Sequence, residues 1–151
     1  GSRGTVGQGA WPGLGAMRAL ACRAAWAAGA VAGALGAAGR EPEELRNTGS
    51  YHALLFRPLE SGLCPCPLLL YLHGAGEMSG GLRDILSPGA TGTPPMLLRR
   101  GTAAPELGGF AVVAPHARRG WRADDLARLL DWLASAAAGL DLDADRLYVT
   151  G

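Results

Sequence analysis

The chain has 151 residues and a formal net charge of +1, and all 14 of its basic residues are arginine. A balance this close to neutral excludes a dominant polyanion-binding surface, so nucleic acid is not an expected partner. Hydrophobic residues make up 48% of the chain, but much of that share is alanine, which adds little to a core, and the bulky apolar residues concentrate after Tyr51.

Residues 1–40 contain 13 Ala, 10 Gly and no acidic residue. Met17-Arg18 and Arg23 form a basic start, Ala24 to Ala38 is uncharged, and Gly36-Ala37-Ala38 offers small residues for cleavage. That pattern predicts a secretory signal over 17–38. An acid-free, arginine-containing leader also fits an organelle transit peptide, and an inert Gly/Ala leader on a cytoplasmic protein is the third reading. The run is too short and too rich in Ala and Gly for a stable membrane span. Cys22, Cys64 and Cys66 are the cysteines. Cys64-Pro65-Cys66 is closer than the usual C-x-x-C spacing, and no nearby His or Cys completes a zinc set, so plain thiols near a strand start are expected.

A folded domain is expected over 41–151. Glu41, Glu43 and Glu44 open a polar lead-in, and Asn47-Thr48-Gly49-Ser50 signals a turn. Tyr51 to Leu59 then reads as a strand, with Tyr51, Ala53 and Leu55 on one face and His52 and Arg57 among the residues opposite. Ser61-Gly62 marks the next turn. These two segments predict an antiparallel lead-in to a sheet. Three runs follow, apolar on both faces as in strands covered by helices: Pro67 to Leu72, Phe110 to Ala114, and Leu147 to Thr150. Leu82–Leu86 and Pro95–Arg100 are expected to be helical pieces between the first two runs. Between the second and third, Leu126, Leu129, Leu130 and Leu133 form a helical stripe. Asp124 is its N-cap or first-turn acid, and Gly139-Leu140 its stop. Alternating strands and helices imply crossovers and parallel pairing. The fold class is α/β, and ligands should gather at the carboxyl ends of the strands.

Those ends carry His73-Gly74-Ala75-Gly76-Glu77, then Pro115-His116, then Thr150-Gly151. A strand running into a glycine-bracketed loop leaves backbone angles free and lets a ligand approach main-chain N–H groups, as an oxyanion hole requires. The strand ending in H-G-x-G-E resembles the oxyanion loop of serine esterases and peptidases of the α/β-hydrolase fold, most closely the predicted-peptidase and feruloyl- or carboxyl-esterase-like group. Gly109 to Pro115 is similar to that fold's next parallel strand. Gly120-Trp121 and the amphipathic helix follow in the same order. Leu140 to Gly151 is similar to the strand before the nucleophile elbow, D-x-D-R-[I/L]-Y-[V/L]-T-G-x-S-x-G-G. The resemblance covers about Tyr51 to Gly151.

The resemblance implies the N-terminal half of an α/β-hydrolase sheet and serine-dependent hydrolysis of an ester or peptide bond in a small-molecule or peptide acyl substrate. No cofactor and no metal are implied. Gly74, Ala75 and Gly76 would form the oxyanion loop, with His73 and Glu77 as loop support. Gly151 would be the first glycine of the elbow, and the serine, acid and histidine are expected beyond it. His73 as a catalytic base fits poorly with that chain order. His116 and Trp121 are candidate substrate contacts, and Arg118 and Arg119 candidate carboxylate binders. The plainer readings are a solvated basic loop and a packed aromatic.

Asp141, Asp143 and Asp145 alternate like a calcium loop but lack its glycine and distant glutamate. Two rival functions remain in view. Gly74-x-Gly76 after a strand hints at a nucleotide-binding module, although Ser79 stands at the third glycine position and Pro94-Pro95 breaks the following helical region. The other rival is a non-catalytic truncated product.

Overall fold

The computed structural model describes residues 38–59, 65–87 and 89–151. The leader up to residue 37, Cys22, Cys64 and the turn at Ser61-Gly62 lie outside the described residues. Five strands form one mixed sheet: β1 Glu43–Leu45, β2 Ala53–Phe56, β3 Cys66–Tyr71, β4 Ala111–Pro115 and β5 Leu142–Thr150. Their spatial order is β1-β2-β4-β3-β5. β1 pairs antiparallel with β2, and β2 with β4. β3 lies parallel to both β4 and β5. The sheet is thus an antiparallel lead-in followed by parallel strands, as the alternation of strand and helix predicts.

Alternate residues of the inner strands fill two separate cores. On one face Leu55, Leu68, Leu70 and Val113 meet Leu129 and Leu133 of α2 (Ala123–Ala134). On the other, Leu54, Phe56, Tyr71 and Val112 meet Met96 and Leu98 of α1 (Pro94–Arg100) and Ile85 of a 3₁₀ turn. Arg57 does not lie opposite Ala53 and Leu55 as expected: it falls on their side of the sheet and reaches Ala138 of the same cluster. Leu54 and Phe56 point away from Ala53 and Leu55, and all four are buried, because helices cover both sides of the sheet. β2 is also shorter than the predicted Tyr51 to Leu59.

Both helices end for local reasons. α1 starts with proline after an extended Thr93 and stops at Gly101 (φ 69°). There Thr102 N–H reaches Leu97 O at 2.9 Å and Gly101 N–H reaches Leu98 O at 3.1 Å, a Schellman closure. α2 carries Asp124 and Asp125 in its first turn, after Arg122 as the extended flanking residue. It stops at Ala134, earlier than Gly139. The extended Ser135 breaks it, donating from Oγ to Trp132 O and accepting Ala137 N–H to open a separate 3₁₀ turn, Ala136–Ala138. Gly139 (φ 59°) closes that turn. The Arg57 guanidinium caps it by donating to the carbonyls of Ala138 and Gly139 while pairing with Glu43.

A further strand boundary differs from expectation. β5 begins at Leu142, well before Leu147, and a register shift separates its pairing with Cys66 from its pairing with Leu68. The irregular stretch is held by the Arg146–Asp143 ion pair at 2.6 Å, by Asp145 N–H on Asp143 Oδ1, and by Arg146 donating to Pro65 O. Of the alternating aspartates, Asp143 therefore uses its carboxylate to hold this irregularity in the strand. At the other end, Arg40 N–H donates to Leu98 O, and a Cβ at Gly39 would overlap the Arg99 carbonyl. Gly39 and Arg40 therefore pack against the end of α1. No described helix is long and apolar enough to cross a membrane.

Candidate functional site

The loops after β3 and β4 leave the same end of the sheet and are fastened together by histidines. His73 is buried at 2% exposure. Its Nε2 accepts the Ala117 N–H at 2.9 Å, which fixes the tautomer, so Nδ1–H donates to Gly74 O at 2.8 Å. His116 is also buried, and its Nε2–H donates to the Glu77 carbonyl at 3.0 Å. The two imidazole rings stand 5.4 Å apart. Trp121 covers His73 at 4.8 Å between ring centroids, and its indole N–H donates to His73 O at 3.3 Å. Tyr51 packs edge-on against Trp121; its hydroxyl donates to Gly120 O and accepts Arg122 N–H.

Beyond this buried knot the β3 loop is open. Gly74, Ala75 and Gly76 are exposed. Ala75–Glu77 is a single 3₁₀ turn closed by Glu77 N–H on Gly74 O and Met78 N–H on Ala75 O. The N–H groups of Ala75 and Gly76 precede any intrahelical acceptor, and neither donates to a group among the described residues. The reason for the glycines differs from the one expected. Gly74 has φ −77° and ψ 178°, and Gly76 is not among the positive-φ glycines. Nothing lies within 4 Å of a Cβ built on Gly76. Their contribution is open approach, not special backbone angles. The position that needs glycine for its backbone is Gly120 (φ 85°), which ends the turn Ala117–Gly120.

Glu77 is half-buried, and its negative charge adds to burial in pushing the Tyr71 phenol up, against a hydrogen bond from Thr93. At the start of β3, burial pushes the Cys66 thiol up. Among the described residues no group of three His, Cys, Asp or Glu side chains stands together as a metal site.

The carboxyl end of β5 lies beside this loop. Leu72 N–H donates to Thr150 O at 2.8 Å, and a Cβ at Gly151 would overlap the Leu72 carbonyl oxygen. Gly151 therefore stands against Leu72, the residue before the loop His73–Glu77. The predicted site residues His73, Gly74, Ala75, Gly76, Glu77, His116, Trp121 and Gly151 are thus drawn from three strand ends into one neighbourhood. His116 and Trp121 are engaged in holding loops together. The sequence reading missed Ala117, the partner of His73, because only its backbone N–H takes part. The roles of Tyr51 and Gly120 were equally hidden, although Gly120 after two arginines is a turn signal in itself.

The nucleotide-binding reading requires the glycine loop to open an α-helix. Here the loop passes into 3₁₀ turns, and the next described α-helix starts at Pro94. No family model matches the chain, and no curated protein matches it.

Proposed function

We propose that the protein is an α/β-hydrolase of the esterase/peptidase-like group, cleaving an ester or peptide bond through a serine C-terminal to Gly151. The observation that carries this reading is the contact between Gly151 and Leu72. A glycine that only a missing Cβ allows stands where the first glycine of G-x-S-x-G is expected. It adjoins the strand that delivers the loop His73–Glu77. A nucleophile two residues on would emerge near the N–H groups of Ala75 and Gly76, which donate to nothing among the described residues. The antiparallel lead-in strands and parallel crossovers also agree with the front half of a hydrolase sheet.

In this reading the serine attacks the acyl carbon. Charge moves onto the carbonyl oxygen, where one or both of those N–H groups stabilise it together with the N–H following the serine. A histidine from further along the chain, held by an acid, takes the serine proton and returns it to the departing alcohol or amine as the ester or amide bond breaks. Water then hydrolyses the acyl-enzyme to the carboxylic acid and free serine. His73 holds the loop and does not exchange protons with substrate, since both its ring nitrogens are already engaged.

The test is to sequence the transcript past Gly151 and treat the encoded protein with a fluorophosphonate. Continuation as x-Ser-x-Gly-Gly and covalent labelling of that serine are expected. An immediate stop codon, or a longer protein that resists labelling, would overturn the reading and favour a non-catalytic product.

A further inference from the structure

The turn after β4 carries two cations with no ionic partner. Several other arginines are paired, as Arg83 is with Glu41 and Glu44 and Arg122 with Asp125. Arg40 and Arg100 form no salt bridge among the described residues, but neither adjoins a second unpaired cation in a turn. Arg118 and Arg119 are exposed and make no salt bridge among the described residues. They are the two central residues of the turn Ala117–Gly120. Both ends of that turn are anchored, Ala117 N–H on His73 and Gly120 O on the Tyr51 hydroxyl. The guanidinium groups therefore start from fixed backbone beside the open Gly74–Gly76 loop. Of the nearby acids, Asp125 is already taken by Arg122 and Arg128. Glu77 and Asp124 make no salt bridge to either arginine.

We propose that Arg118 and Arg119 form an anion-recognition site at this end of the sheet, selecting acyl substrates that carry a carboxylate. Two adjacent like charges without a counter-ion repel each other, and a bound carboxylate relieves that repulsion. The guanidinium fork matches a carboxylate in two parallel hydrogen bonds. Each contact is weakened by exposure to water, but the anchored turn lowers the cost of bringing both to one ligand. The substrate assignment rests on the hydrolase reading; the anion site itself does not.

The experiment is calorimetric titration of the purified protein with monomethyl succinate and with dimethyl succinate. It is repeated on Arg118→Ala/Arg119→Ala and on Arg118→Lys/Arg119→Lys. The monoanion is expected to bind more tightly than the diester. That preference should fall about tenfold in the alanine pair, survive in part in the lysine pair, and weaken with added salt. Equal binding of the two probes, no binding of the monoanion, or a preference untouched by the alanine pair would overturn the proposal. Hydrolysis of neutral p-nitrophenyl acetate by the protein extended past Gly151 reports separately on the hydrolase reading. Arginine-dependent monoanion binding without that hydrolysis upholds the anion site and removes the hydrolase. Hydrolysis without arginine-dependent preference does the reverse.

Discussion

The backbone N–H of Ala117 ends on the imidazole Nε2 of His73, 2.9 Å away and buried. One side chain thereby joins the turn after β4 to the loop after β3, because its other nitrogen donates to Gly74 O. His73→Ala leaves a buried donor without an acceptor and a gap beneath Trp121. A stability loss of about 2–4 kcal/mol is expected from those two effects together. His73→Gln, whose side-chain carbonyl can take the Ala117 N–H, should recover part of it. Urea unfolding of the three proteins decides the matter. Equal midpoints for wild type and His73→Ala would mean that the two loops are held by something else.

Gly76 and Gly151 look alike in the sequence and differ in space. A Cβ at Gly76 meets nothing within 4 Å, whereas one at Gly151 would overlap the Leu72 carbonyl. Gly76→Ala should stay within about 0.5 kcal/mol of wild type and keep its backbone N–H for any oxyanion. Gly151→Ala should cost about 1–3 kcal/mol, since backbone on β3 must move to admit it. Thermal melts of both variants test the pair, and a Gly151→Ala protein as stable as Gly76→Ala would contradict the packing.

The periodic elements were legible because burial imposes them. The runs at Leu68–Leu72 and Ala111–Ala114 are apolar on both faces, and each became a strand covered on both sides. The leucine stripe from Leu126 to Leu133 became α2, as a two-turn amphipathic pattern should. Boundaries set by single polar groups were not legible. Nothing in the pattern says that Ser135 rather than Gly139 ends α2, since either residue suits a helix stop. The extended β5 depends on Arg146 reaching Pro65 O from a distant part of the chain. At the candidate site the residue types were readable and their employment was not. His116 and Trp121 were candidate substrate contacts with a basic loop and a packed aromatic as the plainer readings, and each spends a ring N–H on a carbonyl of the loop after β3.

Alkaline sensitivity follows from two groups held neutral. Burial pushes up both the Cys66 thiol and the Tyr71 phenol, the latter aided by the Glu77 charge. When a folded-state pKa is raised, the unfolded chain loses its proton first. The group's stabilisation is then complete below the unfolded pKa and is lost as pH rises through the folded one. The loss should begin above roughly pH 8.5 for the thiol and roughly pH 10 for the phenol. Denaturant midpoints measured from pH 7 to 11 should fall, and Cys66→Ala should flatten the first part of that fall. A wild-type curve level to pH 11 would contradict the burial of both groups.

β5 makes the last prediction, and it bears on function. The strand is paired with β3 along one edge only among the described residues, and Leu147, Tyr148 and Val149 are exposed at 38%, 49% and 59%. Leu147 and Val149 lie level with Leu68 and Leu70 of the face covered by α2, while Tyr148 reaches Phe110 on the other. A strand apolar on both faces is built for the interior of a sheet, and an open apolar edge recruits further strands. The 151-residue chain by itself should therefore self-associate at micromolar concentration. Val149→Lys should reduce the association by charging the edge without touching either core. Sedimentation velocity across a concentration series distinguishes the outcomes. A wild-type chain that stays monomeric and unfolds cooperatively would mean that β5 is a true edge, and would count against a hydrolase sheet continuing beyond it.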